Sequence, residues 1–220
     1  MLKIENVTTT GWEPAIYSMR NPKNSWNRSD SYHNYHEMVD GEDDACDYVL
    51  GANDLKLATT LANAGTEHGK FLRMINVYFD VVAPLYLYKE IDVYKVGTVC
   101  NSCSTMHKIT SKEFTMEDFS TEHLFGVNKL LMISVIDRLN EMRDIYINGN
   151  NDYEPKDKEI WWQLIQLLPS SYNQRRTYMM NYQTLRAIYH QRKNHKLDEW
   201  HIFCDWVETL PYAKELIIGK

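Results

Sequence analysis

Hydrophobic and polar positions recur along this chain at two periods, one of strands and one of helices. Residues 2–7, LKIENV, have the apolar and β-branched character of a short first strand. Leu55, Ala58, Leu61 and Ala62 then follow helical spacing, which predicts a helix capped by Asp54 and stopped by Gly65. Residues 71–88, FLRMINVYFDVVAPLYLY, are β-branched and aromatic, so a strand is expected, broken by Pro84 before a new element begins. Thr115 and Asp118 have the spacing of a capping box. From Asn128 to Ile147 the residues Leu130, Leu131, Val135, Ile136, Leu139 and Met142 mark a long amphipathic helix ended by Gly149. Asp157 to Leu168 reads as a shorter helix halted by Pro169. A basic helix with Arg175, Arg176, Arg186 and Arg192 is predicted to start at Ser170 or Ser171, and a last helix runs from about Leu197 to Leu210. The order strand, helix, strand, then mostly helices predicts an α/β protein, a single domain over residues 1–220 with a helical C-terminal half. Residues 21–53 break the pattern. They are polar, acidic from Glu37 to Asp47, and read as a mobile loop.

Composition narrows the function classes. The chain has 220 residues, 44% hydrophobic and 25% charged, enough for a real core. A net charge of −6 argues against a general coat for a DNA or RNA duplex, which needs a basic surface. No run of about 18 apolar residues is present, so no membrane partner is expected. The start, MLKIENVTTTGWEP, has no apolar signal core, and four cysteines are too few for a disulfide scaffold. A cytoplasmic protein with reduced thiols is the expectation.

The stretch YKVGTVCNSCSTMHK, Tyr94 to Lys108, concentrates small polar residues that rarely build a core. Its Cys100-Asn101-Ser102-Cys103 is a CxxC, but a structural zinc needs a second ligand pair, and Cys46 and Cys204 are solitary. A redox pair would need a helix opening at the first Cys. The bland alternative is two small thiols filling a tight loop. The pairs His33 with His36 and His190 with His195 read as solvated. His68, in AGTEHGK, sits in a turn before a buried strand, where clefts form, although a lone His is more often structural. Arg175 and Arg192 could share one helix face, as an anion site of guanidinium forks or as a solvated face. The small-residue stretch has the stronger claim. Backbone N–H groups and hydroxyls, bracketed by Lys95 and Lys108, can cradle a phosphate, without being a P-loop or a Rossmann turn.

The order of these features resembles the flavin-dependent thymidylate synthases, the ThyX family. That family carries a strand ending in Ala-Pro, an Arg-Gln-Trp step, then Arg-His-Arg-x-x-Ser-x-Asn-Glu-x-Ser-x-Arg. Here Phe79-Asp80-Val81-Val82-Ala83-Pro84 is followed by Lys89-Glu90-Ile91 and by Val93-Tyr94-Lys95 in place of Arg-His-Arg. Thr98 replaces the first Ser, Asn101 and Ser104 match, Ser102 replaces the Glu, and Met106 falls where the final Arg stands. Upstream, Gly65-Thr66-Glu67-His68 looks like the family's Gly-His turn. Downstream, Leu168-Pro169, Arg175, Asn181, Leu185 and Arg192 keep the family's spacing, while another family Arg falls on Ile165.

The resemblance implies a ThyX-like fold with a central mixed sheet. It implies methylene transfer from methylenetetrahydrofolate to the uracil C5 of dUMP, hydride from reduced FAD, NADPH as reductant, and a homotetramer. It places Ser104 on the nucleotide phosphate with Thr105, Lys108, Glu90 and Arg175 as further substrate-binding residues. It places Arg192 at the pyrimidine edge and His68 near the reacting ring as the catalytic pair. Lys95, Tyr94, Thr98, Asn101 and Asn181 fall on the cofactor side. The departures remove charge. Each lost charge-assisted contact costs about 1.5–3 kcal/mol, and Lys does not replace a bidentate Arg. Three readings stay open: a divergent flavin-dependent methylating enzyme, a catalytically silent nucleotide sensor, sponge or partner-binding module on the same fold, and a redox or metal module on Cys100 and Cys103.

Overall fold

The computed structural model describes residues 2–36 and 45–219, so most of the acidic run, residues 37–44, lies outside the described residues. β1, Lys3–Thr10, draws on Ile4, Val7 and three successive threonines. Gly11, at φ +85°, turns the chain into α1, Trp12–Ser18, and a Cβ there would lie 2.1 Å from the Met74 carbonyl oxygen. The polar stretch that reads as a loop contains two 3-10 turns, Asn21–Lys23 and Trp26–Arg28, and an antiparallel ribbon. Its strands are β2, Tyr32–His36, and β3, Ala45–Val49, in a register that sets Tyr32 opposite Val49.

α2 spans Ala52–Asn63. Asp54 does not cap it. The cap comes from Asp30, whose carboxylate accepts the N–H groups of Asn53 at 2.9 Å and Asp54 at 3.0 Å. Asp54 turns inward instead. It is fully buried, pairs with Arg20 at 2.6 Å, and accepts hydroxyl donors from Ser29 at 2.6 Å and Ser31 at 2.7 Å. Burial alone would push its carboxyl up, but hydrogen bonds from Ser29, Ser31, Arg20 and the Asp30 N–H outweigh it and hold the group below the usual range.

β4, Asn76–Pro84, ends at the expected Pro84, and α3, Leu85–Ile91, follows directly. β5 is Thr98–Ser102 and α4 is Thr105–Lys108. The capping box of Thr115 and Asp118 closes a 3-10 turn, Met116–Asp118. α5, Gly126–Asn148, and α6, Lys158–Leu167, occupy the predicted places, with Gly149 at the end of α5. The buried face of α5 is Met132, Ile136, Leu139 and Met142, and Leu130 and Leu131 lie outside it, 64% and 63% exposed.

The predicted basic helix is a strand in its first half. β6, Asn173–Asn181, precedes α7, Tyr182–Arg192, and α8 is Asp198–Glu208. Buried Gln174, Tyr178 and Met180 alternate with outward residues, a period of two that the helix-prone Arg and Met residues mask. Arg175 and Arg192 therefore share no helix. The four-stranded sheet has the order β1-β4-β6-β5.

Two compact units divide the chain. One holds the chain to Glu5 with Asp80–Val93 and Cys100–Thr177. Its core gathers Ile109, Phe114 and Phe119 with the buried faces of α5 and α6, including Leu139 and Leu164. The other holds Asn6–Phe79, Tyr94–Val99 and the chain from Tyr178 onward. There Phe79 stacks on Tyr178 at 5.9 Å, and Trp12 meets Tyr182 and Tyr212 edge-on. Among the described residues no helix is long and apolar enough to cross a membrane.

Candidate functional site

A cavity of about 290 Å³ opens in the first unit, between the segment after β5 and the start of β6. The first wall is built locally. The Ser104 hydroxyl caps α4 by accepting the His107 N–H at 3.3 Å, and the Ser104 carbonyl accepts the Lys108 N–H at 3.1 Å. This turn sets Ser104, Thr105 and Lys108 along the lining. Cys103, one residue earlier, is fixed to β6: its N–H donates to the Arg175 carbonyl at 2.9 Å, and its carbonyl accepts Gln174 Nε2 at 2.7 Å. The facing wall includes Asp118, which closes its capping box and takes an ion pair from Lys112. Tyr172 lies edge-on to Phe119 at 5.6 Å and contributes an aromatic side to the lining. Burial, then the nearby Asp118 and Cys103, push its hydroxyl pKa up, so it stays a neutral donor.

The charges around the cavity are unequal in what they can offer. Arg175 reaches the lining from β6, but its fork is engaged: Nη1 donates to Asp80 at 3.0 Å and Nη2 to Glu5 at 2.6 Å. Asp80 is further held by the Thr177 hydroxyl at 2.6 Å. The Glu5 carboxyl is held low by a hydrogen bond from Lys3 first, with Lys3 and Arg175 charges adding to it. Lys108 is exposed and pairs with no carboxylate among the described residues. Lys108 with the Ser104 and Thr105 hydroxyls is thus a compact set of groups able to meet an oxyanion.

The second unit carries another cluster. Arg192 Nε donates to the Tyr94 hydroxyl at 2.9 Å, and the guanidinium lies 5.1 Å from the Trp200 ring and 5.7 Å from the Tyr94 ring. Asn181 is buried and caps α7, its Oδ1 accepting the Thr184 N–H at 2.9 Å. Gly97, at φ +70°, packs against it so closely that a Cβ would sit 1.9 Å from Asn181 Nδ2. The Thr98 hydroxyl is buried without a hydrogen-bond partner among the described residues. Such an atom costs about 1–3 kcal/mol unless something meets it.

No family model matches the chain, and no curated protein matches it by sequence. The structure is similar to that of thymidylate synthase X (ThyX) from Helicobacter pylori solved with FAD and dUMP, with a TM-score of 0.69 over 99% of this chain and 97% of that one, at 14% identity. The chain has the ThyX fold. A second Helicobacter pylori ThyX structure with FAD and dUMP gives a TM-score of 0.66 at 15% identity, covering 97% of this chain and 98% of that one. PolB from Streptomyces cacaoi, a UMP/dUMP methylase bound with 5-Br dUMP, gives 0.62 at 13% identity, covering 100% of this chain and 94% of that one.

On this ThyX fold the sequence-derived residues fall into separate groups. Ser104, Thr105, Lys108 and Arg175 line the one cavity just described. Glu90, on α3, and Asn101, on β5, are outside its lining. Tyr94 and Arg192 bond to each other, and Asn181, Thr98 and exposed Lys95 belong to the same unit. His68 is exposed in the turn after α2, its N–H bonded to the Gly65 carbonyl at 3.2 Å. The guanidinium-fork site drawn from Arg175 and Arg192 on one helix is corrected, because one arginine is on a strand and its fork already holds two carboxylates. Sequence reasoning missed Gln174, Tyr172 and Lys112. The burial of Gln174 appears only once β6 is seen as a strand, and Tyr172 and Lys112 carry no sign in the sequence.

The cysteine reading loses its geometry. Cys100 lies inside extended β5 and Cys103 just past its end, so their Cα atoms are about 10 Å apart by strand rise. A disulfide needs less than about 7 Å. Among the described residues no three His, Cys, Asp or Glu side chains gather where a metal ion could sit.

Proposed function

We propose that this ThyX-fold chain binds a pyrimidine nucleotide monophosphate with its phosphate against Ser104, Thr105 and Lys108, and that it is a divergent flavin-dependent thymidylate synthase-like enzyme. The observation that carries the reading is the convergence of Ser104, Thr105, Lys108 and Arg175 on one cavity. The fold neighbours, solved with dUMP and FAD or with 5-Br dUMP, support the ligand class. The proposed reaction moves a methylene group from methylenetetrahydrofolate to the uracil C5, with NADPH as reductant. The buried Thr98 hydroxyl, unpartnered among the described residues, fits a bound group, so Thr98, Tyr94 and Lys95 are assigned to FAD, together with Asn101 and Asn181. Reduced flavin supplies the hydride when bound. The residues of the chain orient and polarise: Lys108 neutralises phosphate charge, Glu90 assists the nucleotide, Arg192 addresses the pyrimidine edge, and His68 stands near the reacting ring. A homotetramer in the cytoplasm completes the proposal.

One observation favours a second reading, a silent nucleotide binder. Arg175 is already neutralised by Glu5 and Asp80, so among the described residues the cavity offers one uncommitted cation, Lys108. The visible spectrum of the purified protein decides between the two. Flavin bands, or their appearance on adding FAD, with turnover of dUMP, support the enzyme. A colourless protein that refuses FAD but gains thermal stability with dUMP or UMP is the silent binder. No thermal shift with any pyrimidine nucleotide would sink both.

A further inference from the structure

We infer that Gln174 is the positioning residue for the anion-facing wall of the cavity, an assignment whose functional meaning rests on the ligand reading above. Cys103 leads into that wall and is clamped at both backbone groups, by the Arg175 carbonyl at 2.9 Å and by Gln174 Nε2 at 2.7 Å. Gln174 is buried on β6, where its side chain is doubly committed: its amide NH₂ donates to Cys103, and its Oε1 accepts Arg176 Nε at 2.8 Å. Arg176 is anchored in turn. Its Nη1 meets Asp92 at 3.0 Å, and its guanidinium lies 3.9 Å over the Tyr88 ring. The Tyr88 hydroxyl closes the loop by donating to the Gln174 carbonyl at 2.7 Å. A chain of contacts therefore runs from Asp92 through Arg176 and Gln174 to the residue just before Ser104.

The chemistry asks for a carboxamide. The group must accept from a guanidinium at one atom and donate to a carbonyl at the other, and a primary amide does both. A carboxylate keeps the Arg176 bond but sets oxygen against the Cys103 carbonyl. An apolar side chain loses both bonds. Loss of the Gln174 bond leaves Cys103 with its N–H bond to the Arg175 carbonyl and loosens the turn that places Ser104, Thr105 and Lys108. Gln174 also lines the cavity, but its amide is committed at both atoms, so its effect on a ligand passes through the wall it holds.

The test uses the full chain with Gln174→Glu and Gln174→Leu, read by amide hydrogen exchange over residues 104–109 and by calorimetric affinity for dUMP and inorganic phosphate. In Gln174→Glu the retained Arg176 bond keeps part of the stability that Gln174→Leu loses. Exchange at His107, Lys108 and Ile109 is expected to accelerate at least ~10-fold, and affinity to fall by a similar factor, each about the effect of one lost buried hydrogen bond. Protonating the introduced carboxyl restores a donor, so its deficit narrows as pH falls through the ordinary Glu range, from about 6 to about 4. Gln174→Leu, which cannot regain a donor, should show no such recovery. If Gln174→Glu does not fold, Arg176→Lys, which removes the Nε donor and keeps the charge over Tyr88, takes its place in the same exchange measurement. Wild-type exchange in the folded variants overturns the inference, whatever the affinity. If the wild-type chain binds neither probe, the ligand reading fails, and exchange alone then upholds or overturns the role of Gln174.

Discussion

Lys108 differs from the other cations of the cavity in being uncommitted among the described residues, and that difference sets its expected weight. Arg175 is shared between Glu5 and Asp80, and Lys112 is paired with Asp118. A charge-assisted contact to phosphate is worth about 1.5–3 kcal/mol, or roughly 10- to 100-fold in affinity. If dUMP binds as proposed, Lys108→Ala should therefore weaken it by that factor, whereas Arg175→Ala should cost far less and lower stability by removing the two ion pairs it makes, to Glu5 and to Asp80. Calorimetric titration of both variants checks the order, and equal losses would mean that Arg175 leaves its carboxylates when ligand binds. Ser104, Thr105 and Lys108 are legible in the sequence because they are near neighbours in one small-residue stretch. Gln174 and Tyr172 are not, because their roles come from partners far along the chain, Cys103 for one and Phe119 for the other.

Elements with a strong local code can be read from the sequence, and those decided by tertiary packing cannot. Pro84, the Thr115 capping box and Gly149 each fix a boundary through backbone chemistry. β6 reads as a helix because its Arg and Met residues suit helices, and only its packing imposes the strand. α5 shows the same limit in another form. Its apolar positions outnumber those its own unit buries, and Phe125, Val127, Leu130 and Leu131 stay exposed around its first turns. Apolar side chains grouped in this way mark an interaction surface. If the proposed homotetramer uses this face, Leu130→Lys with Leu131→Lys should shift the mass measured by light scattering from an oligomer toward the monomer, with the helix content unchanged by circular dichroism. An oligomer of unaltered mass would place the contact elsewhere, and a monomeric wild-type chain would remove the tetramer.

For the whole molecule, the order of a few features carries more than their identity. The Gly-His turn, the Ala-Pro strand, the small-residue stretch and Leu-Pro keep their sequence order, and the fold agrees with ThyX at only 14% identity. A fold needs the right kinds of residue in sequence, and many exchanges satisfy it; a charged site needs particular groups in particular places. What stabilises this fold against acid is hidden for a related reason. Asp54 has the sequence position of a helix cap, yet it is buried against Arg20 and holds the segment from Ser29 to Ser31 by four further donors, two hydroxyls and two backbone N–H groups. Its folded pKa lies below the unfolded value near 3.8. The stability it confers is therefore fully present above that unfolded value and is lost as pH falls through the lower folded one. Asp54→Ala leaves Arg20 buried without its partner, which costs about 3–5 kcal/mol at neutral pH. Asp54→Asn keeps the shape and removes the titration. Urea unfolding at a series of pH values should show wild type losing its advantage over Asp54→Asn progressively below about pH 4, while the gap stays constant from there to neutrality. A gap that instead closes near pH 6–7, where His titrates, would assign the acid sensitivity to histidines and not to the Arg20–Asp54 pair.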